Sequence, residues 1–155
     1  MKTQPSLAFS NHDHRTCQKA ALDRAEGLRL TKWRRRVLEI LLEQHRSMGA
    51  YEILERLADD GGKPQPPTAY RALDYLVEHG LAHRIEKMNA YVACAQPGVC
   101  DRAGFLFCKL CHTVAEVQCI EAEDDILRVA AASGFAAERT VIEVEGICAD
   151  CQSAQ

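Results

Sequence analysis

Residues 66–94 read PPTAYRALDYLVEHGLAHRIEKMNAYVAC, and two different periods run through them in succession. From Pro67 to His79 apolar side chains recur at helical spacing, with Tyr70, Leu73, Leu76 and Val77 on an inward stripe and Gly80 as the stop. Proline suits a first helical turn because its missing N–H has no intrahelical acceptor there. Thr68, Arg71 and Tyr75 fall at i, i+3 and i+7 along one solvent stripe, which fits a major groove. After Gly80 the period drops to two. Leu81 to Lys87 and Ala90 to Cys94 alternate about Met88-Asn89, the pattern of a β-hairpin.

Loop length sets what this hairpin can do. A two-residue loop places Lys87 opposite Ala90, Ile85 opposite Val92 and His83 opposite Cys94. Opposed residues have Cβ atoms about 4.5 to 5.5 Å apart on one face, close enough to grip one ion together. A three-residue loop shifts the register and sends one partner to the other face.

Upstream, Asn11 to Glu26 reads as a helix closed by Gly27, with Cys17, Ala20, Ala21 and Ala25 as its apolar stripe. Thr31 is the expected N-cap of a second helix, Trp33 to Gln44, in which Trp33, Val37, Ile40 and Leu41 share one face. A third runs from Ala50 to Asp59 with Ile53, Leu54 and Leu57 inward, and Asp59-Asp60-Gly61-Gly62 ends it. Three helices followed by a hairpin make a winged helix.

Downstream of Gln96-Pro97-Gly98 the chain becomes cysteine-rich and acidic. Phe105 to Cys108 and Thr113 to Gln118 read as strands, Ala122 to Ser133 as a helix with an acidic first turn stopped by Gly134, and Thr140 to Glu145 as another strand. That ββαβ order in roughly 60 residues is small for a free-standing core, so metal, a second copy, or both are expected to complete it.

The whole chain has 155 residues, 47% of them apolar and 26% charged, an ordinary globular composition. No run approaches the roughly 20 apolar residues that span a bilayer, and Lys2 is followed by no signal-type apolar run before Asp13 and Arg15. A cytoplasmic protein is expected. Net charge is −3, but residues 1–90 hold 15 Lys and Arg against 12 Asp and Glu, whereas residues 91–155 hold 4 against 10. A mildly basic half that can approach phosphates thus precedes an acidic half holding all the cysteines except Cys17.

In a reducing compartment, eight cysteines favour metal over disulfides. Cys108-x2-Cys111 and Cys148-x2-Cys151 are two knuckles offering four thiolates, the closed tetrahedral arrangement of structural zinc. The 36 residues between them hold strand, helix and strand, which can bring the knuckles together. A second, dispersed set is His83, Cys94, Cys100 and Glu116, a mixed N/S/O shell that suits zinc better than a hard-ligand ion. Each of these also has a plainer reading, as a surface histidine or a core cysteine. Cys17 and Cys119 read as small buried hydrophobes, and His112 as solvated. Arg34, Arg35 and Arg36 read equally as a phosphate contact or a solvated face.

Enzymatic readings find no support. No histidine has Glu two positions on and neither knuckle follows proline, as a zinc deaminase would need. Two CxxC motifs bracketing a helix do not match the single CxxC of a thioredoxin-like βαβ unit. No nucleophile is paired with a base, so an enzyme is not expected.

The 66–76 segment, followed by Gly80 to Glu86 and Tyr91 to Cys94, closely resembles the ferric uptake regulator family, and within it the zinc uptake regulator branch. Leu30-Thr31 with Arg34, Ala50 to Leu54, both knuckles and Gly134-Phe135 extend the likeness over residues 15–151. It implies dimeric, metal-responsive repressors with an N-terminal winged helix and a C-terminal dimerisation domain. By matching positions, Cys108, Cys111, Cys148 and Cys151 would hold structural zinc, and His83, Cys94 and Glu116 regulatory zinc. The branch commonly adds a histidine shortly before the first knuckle. This chain has none there; Cys100 stands nearest, with Asp101 as the alternative. Tyr51 and Arg71 match positions that read or touch DNA. The His-His-x-His stretch of iron and peroxide sensors is absent, which favours zinc.

The expectation is therefore an α+β chain: a winged-helix DNA-binding domain over 1–94, a hinge over 95–103, and a small α/β dimerisation domain with a four-cysteine zinc site over 104–155. Two Zn2+ per subunit are expected, with a homodimer binding double-stranded, pseudo-palindromic operator DNA and repressing zinc-uptake genes. No membrane and no small-molecule substrate beyond the metal ion are involved. Tyr51, Thr68, Tyr70 and Arg71 form the DNA-binding set, although Tyr70 also heads the inward stripe. A sensor of another metal or of peroxide, or a zinc-stabilised DNA-binding protein without sensing, are the competing readings.

Overall fold

The computed structural model describes residues 14–44, 46–61, 64–98 and 102–154. Expectations on 11–13, on Cys100 and Asp101 and on the Cys17 side chain lie outside them. The elements in chain order are α1 (His14–Glu26), α2 (Lys32–Gln44), β1 (Met48–Gly49), α3 (Ala50–Asp59), α4 (Pro66–Glu78), β2 (Ala82–Ile85) and β3 (Ala90–Ala93). They continue with β4 (Ala103–Cys108), β5 (Val114–Gln118), α5 (Ile120–Ala132), β6 (Glu143–Gly146) and α6 (Ala149–Ser153). No described helix is long and apolar enough to cross a membrane.

Local chemistry accounts for the helix ends. Thr31 Oγ1 accepts the Arg34 N–H at 3.4 Å, capping α2 where one of its orphan donors needs an acceptor. At the end of α4, Leu81 N–H reaches back to the Leu76 carbonyl at 2.8 Å and Gly80 N–H to Val77 at 3.1 Å. That closure needs a left-handed residue between helix and strand, and Gly80 supplies it at φ 66°. The chain thus turns directly into the hairpin.

The first core is built where α2, α3 and α4 meet, around Leu38, Leu41, Ile53, Leu57, Leu73 and Leu76, all fully buried. Burying each such side chain stabilises by about 1.5 to 3 kcal/mol. The inward face of α4 consists of Ala69, Ala72, Leu73 and Leu76, which corrects the expected stripe: Tyr70 and Val77 are exposed. Ala69 and Ala72 share the buried face with the two leucines, and the larger Tyr70 and Val77 one step along the helix are turned to solvent.

A three-stranded sheet of order β1-β3-β2 completes this unit. The hairpin register differs from the two-residue-loop expectation: Ile85 pairs with Ala90, His83 with Val92 and Ala82 with Ala93. Glu86 to Asn89 form a four-residue turn, with Asn89 N–H bonded to the Glu86 carbonyl at 3.1 Å and Asn89 left-handed at φ 46°. A slip of two residues preserves the face of every side chain. His83 and Cys94 are therefore diagonal neighbours on one face, not directly opposed; Cys94 N–H bonds instead to Leu81 at 3.0 Å.

The second sheet has order β5-β4-β6, with β4 antiparallel to β5 and parallel to β6. The expected ββαβ order is present, with α5 starting at Ile120, the last strand starting at Glu143, and α6 added at the end. α5 buries no residue, and Val129 and Phe135 are 70% and 66% exposed. Between the two sheets lies a second apolar cluster, Ile85, Val92, Phe105 and Phe107.

Candidate metal centres and nucleic-acid interface

The two CxxC knuckles converge. Cys108 ends β4, Cys111 stands in the turn after it, and Cys148 and Cys151 cap and enter α6, so that all four sulfurs lie within 4.8 Å of one another. Cys111 Sγ and Cys148 Sγ are 3.7 Å apart, and the Cys148 N–H points at Cys108 Sγ at 3.4 Å. Backbone N–H groups of Cys111 and Cys148 hold the Cys108 thiol down at about 6. Hydrogen bonds with the Cys148 and Cys111 sulfurs, then burial, push Cys151 up to about 12. One sulfur is a ready thiolate while another resists adding a second negative charge beside it. A dication taking all four as thiolates removes that conflict, and a tetrahedral set of four sulfurs is zinc chemistry.

A second group joins the two sheets. His83 stands on β2, Cys94 just past β3 and Glu116 on β5, and one ligand atom from each falls within 4.8 Å of the others. His83 Nε2 is buried with no hydrogen-bond partner among the described residues, although Glu116 Oε2 lies 3.4 Å away. An orphaned imidazole nitrogen facing a carboxylate and a sulfur fits a cation shared by all three. Cys94 is fully buried; its sulfur ligates only as the reduced thiolate. The fourth expected donor, Cys100 or Asp101, falls outside the described residues.

Glu116 does more than offer an oxygen. Its Oε2 accepts the Ala95 N–H at 3.0 Å, tying the chain that leaves the hairpin to β5. Phe105, directly paired with Glu116, brings its ring to 4.9 Å from the His83 ring. On the other side of Phe105, its parallel partner Glu143 accepts backbone N–H groups from Glu86 at 2.6 Å and Lys87 at 3.0 Å. A third contact links the knuckle turn to the first sheet: the carbonyl of His112, exposed and left-handed at φ 61°, accepts Ser47 N–H at 3.3 Å and Ser47 Oγ–H at 3.2 Å. Sequence reasoning missed Glu143 and Ser47.

On the first unit, Tyr51 lies in the first turn of α3 and is 72% exposed, with Glu52 beside it paired to Arg46. Arg71 and Tyr70 are exposed on α4, and Thr68 in its first turn is half-buried. Tyr75, expected on the solvent stripe, is half-buried instead. The Arg34 guanidinium lies 3.6 Å over its ring and the His79 ring stacks on it with centroids 3.9 Å apart. Of the three consecutive arginines, Arg36 is tied to Asp60, Glu39 and Glu43, and so is a structural group. Cys119 is a half-buried free thiol packed over Gly104.

A winged helix whose hairpin shares a mixed-donor cluster with a thiol-knuckled sheet defines a class of metal-dependent DNA-binding proteins. The chain belongs to the ferric uptake regulator family, whose model matches residues 25–145. The zinc uptake regulation protein of Escherichia coli (strain K12) is 39% identical over 129 residues, covering 81% of this chain and 74% of that protein. The structure of a zinc uptake regulator complexed with zinc and DNA superposes with a TM-score of 0.80 at 32% identity, covering 94% of this chain and 97% of that one. Holo XcZur matches with a TM-score of 0.74 at 34% identity, over 90% and 94% of the two chains.

Proposed function

We propose that this protein is a zinc-responsive transcriptional repressor of zinc-uptake genes, binding a pseudo-palindromic operator as a homodimer when zinc-loaded. The observation that carries the reading is the His83, Cys94 and Glu116 cluster, in which two donors come from the hairpin and one from the other sheet. Relatives that bind zinc and DNA support it.

His83, reduced Cys94 and Glu116, with Cys100 or Asp101 as fourth donor, would hold the regulatory ion; Cys108, Cys111, Cys148 and Cys151 would hold a structural one, giving two zinc ions per subunit. Bound at the hairpin, zinc supplies a cross-link between the two sheets. Residues 1–94 form the DNA-binding domain, 95–103 the hinge and 104–155 the dimerisation domain of a cytoplasmic regulator. Val129, Phe135 and their apolar neighbours Ile126 and Val144, all exposed on the second unit, support pairing with a second copy. In such a pair the angle between the sheets sets the separation of the two α4 helices, which must match half-sites about 34 to 36 Å apart. Tyr51, Thr68, Tyr70 and Arg71 then face the DNA.

Titrating promoter DNA of zinc-uptake genes with the reduced protein at buffered free zinc tests this. Binding that rises with free zinc at constant occupancy of the four-cysteine site is expected, and binding indifferent to free zinc would overturn it.

A further inference from the structure

The hairpin is fastened to the second sheet at both ends, and only one end involves the proposed ion. Glu116, Phe105 and Glu143 form a row across β5, β4 and β6, because Phe105 pairs with both glutamates. The hairpin lies over this row. Its base, with His83 and Cys94, meets Glu116. Its middle, Ile85 and Val92, packs with Phe105. Its tip, the consecutive N–H groups of Glu86 and Lys87, is taken by the two oxygens of Glu143 at 2.6 and 3.0 Å.

Two ion pairs reinforce the tip: Arg139 to Glu86 at 2.9 Å and Lys87 to Glu145 at 3.3 Å. A carboxylate accepting two backbone N–H groups makes charge-assisted hydrogen bonds, stronger than neutral ones. The turn that presents these N–H groups is the four-residue loop absent from the two-residue expectation; the extra loop residues include the ones Glu143 holds.

We propose that Glu143 is a positioning residue that sets the zinc threshold of the switch, by docking the hairpin tip so that His83 and Cys94 are held near Glu116 before the ion arrives. The idea rests on the zinc-sensing reading above. A ligand that needs an assembled site binds with an apparent affinity reduced by the fraction of protein in which the site is assembled. Releasing the tip lowers that fraction. Glu143 touches neither ion nor DNA in this account, so its effect is confined to the free-zinc scale.

The test compares wild type, Glu143→Gln and Glu143→Ala as full-length reduced protein. Operator binding is titrated against buffered free zinc, and zinc binding without DNA is followed by chelator competition. Glu143→Ala is expected to raise the free zinc for half-maximal operator binding about tenfold, within the usual range of allosteric coupling. The DNA-free zinc affinity should fall in parallel, with knuckle zinc content and zinc-saturated operator affinity retained. Glu143→Gln keeps one acceptor and should fall between. Should Glu143→Ala fail to fold, Glu143→Gln and Arg139→Ala carry the same test at the tip. A half-point unchanged within about twofold in variants that retain the knuckle zinc overturns the proposal, as does a lowered zinc-saturated operator affinity with an unmoved half-point. A wild type that ignores free zinc overturns instead the sensing reading on which it rests.

Discussion

Glu116 and Glu143 stand on opposite sides of β4, both paired with Phe105, one through the antiparallel ladder and the other through the parallel ladder. Directly paired residues project to one face of a sheet, so one carboxylate meets the hairpin base and the other its tip. The arrangement explains how a short hairpin can report on the orientation of a whole sheet.

If Cys94 is a regulatory ligand, Cys94→Ser should leave a folded dimer with knuckle zinc but without zinc-dependent DNA binding, read by gel filtration, metal analysis and operator titration. Because a cysteine sulfur ligates as the thiolate, oxidation gives a second test of the same role. Wild type treated with a thiol oxidant is expected to behave like the serine variant and to recover on reduction. An oxidised protein that still responds fully to zinc would remove Cys94 from the ligand set.

Arg71 is exposed on α4 with no ion pair among the described residues. If it contacts a guanine edge, Arg71→Ala should cost about 1 to 3 kcal/mol of operator affinity and relax discrimination at that base. Tyr70→Phe on the same helix probes the exposed position next to it. Zinc content and dimerisation should be unaffected in both, and unchanged operator discrimination in Arg71→Ala would remove that residue from the reading set.

Proton release should report the electrostatics of the knuckles. Cys108, held at about 6, is already a thiolate above that pH and takes up a proton as the pH falls through it. Cys151, at about 12, is protonated across the neutral range. Zinc loading of that site at neutral pH is therefore expected to release fewer than four protons, and affinity to rise with pH and fall steeply below about 6. Indicator-dye titration alongside chelator competition measures both; release of a full four protons would contradict the depressed thiol.

Gly104 on β4 leaves no room for a side chain. An added Cβ would run into Cys119 Sγ and come within 3.2 Å of Ile142 Cγ2. Gly104→Ala should destabilise by about 1 to 3 kcal/mol, the usual range for overpacking, measured by denaturant unfolding of zinc-loaded protein. Adding Cys119→Ala should recover part of the loss, since it removes the nearer atom. Purely additive effects would show that the thiol is not the obstacle.

How much of this is legible in the sequence depends on how local the cause is. The 66–78 helix, its Gly80 stop and each CxxC knuckle follow from spacing alone, since each is written in residues a few positions apart; the meeting of the two knuckles depends on how the 36 residues between them fold. The helix face is harder to read: Ala69 and Ala72 lie on the buried side, and a pattern that favours bulky residues points to Tyr70 and Val77 instead. Register is harder still, because it depends on the left-handed Asn89, and two loop lengths fit the same alternation. Glu143 leaves no trace at all. Its partners are backbone N–H groups 57 and 56 residues away, and a backbone group has no letter of its own.

Ser47 ties the first sheet to the knuckle turn through the His112 carbonyl. Ser47 immediately precedes β1, and β1 leads without a break into α3 and Tyr51. His112 keeps its left-handed shape beside Cys111 in the thiol knuckle. If the four sulfurs hold zinc and Tyr51 meets DNA as proposed, stripping that ion slackens the footing of Tyr51 itself, and extreme starvation blunts the protein's grip on its target by a route separate from the hairpin.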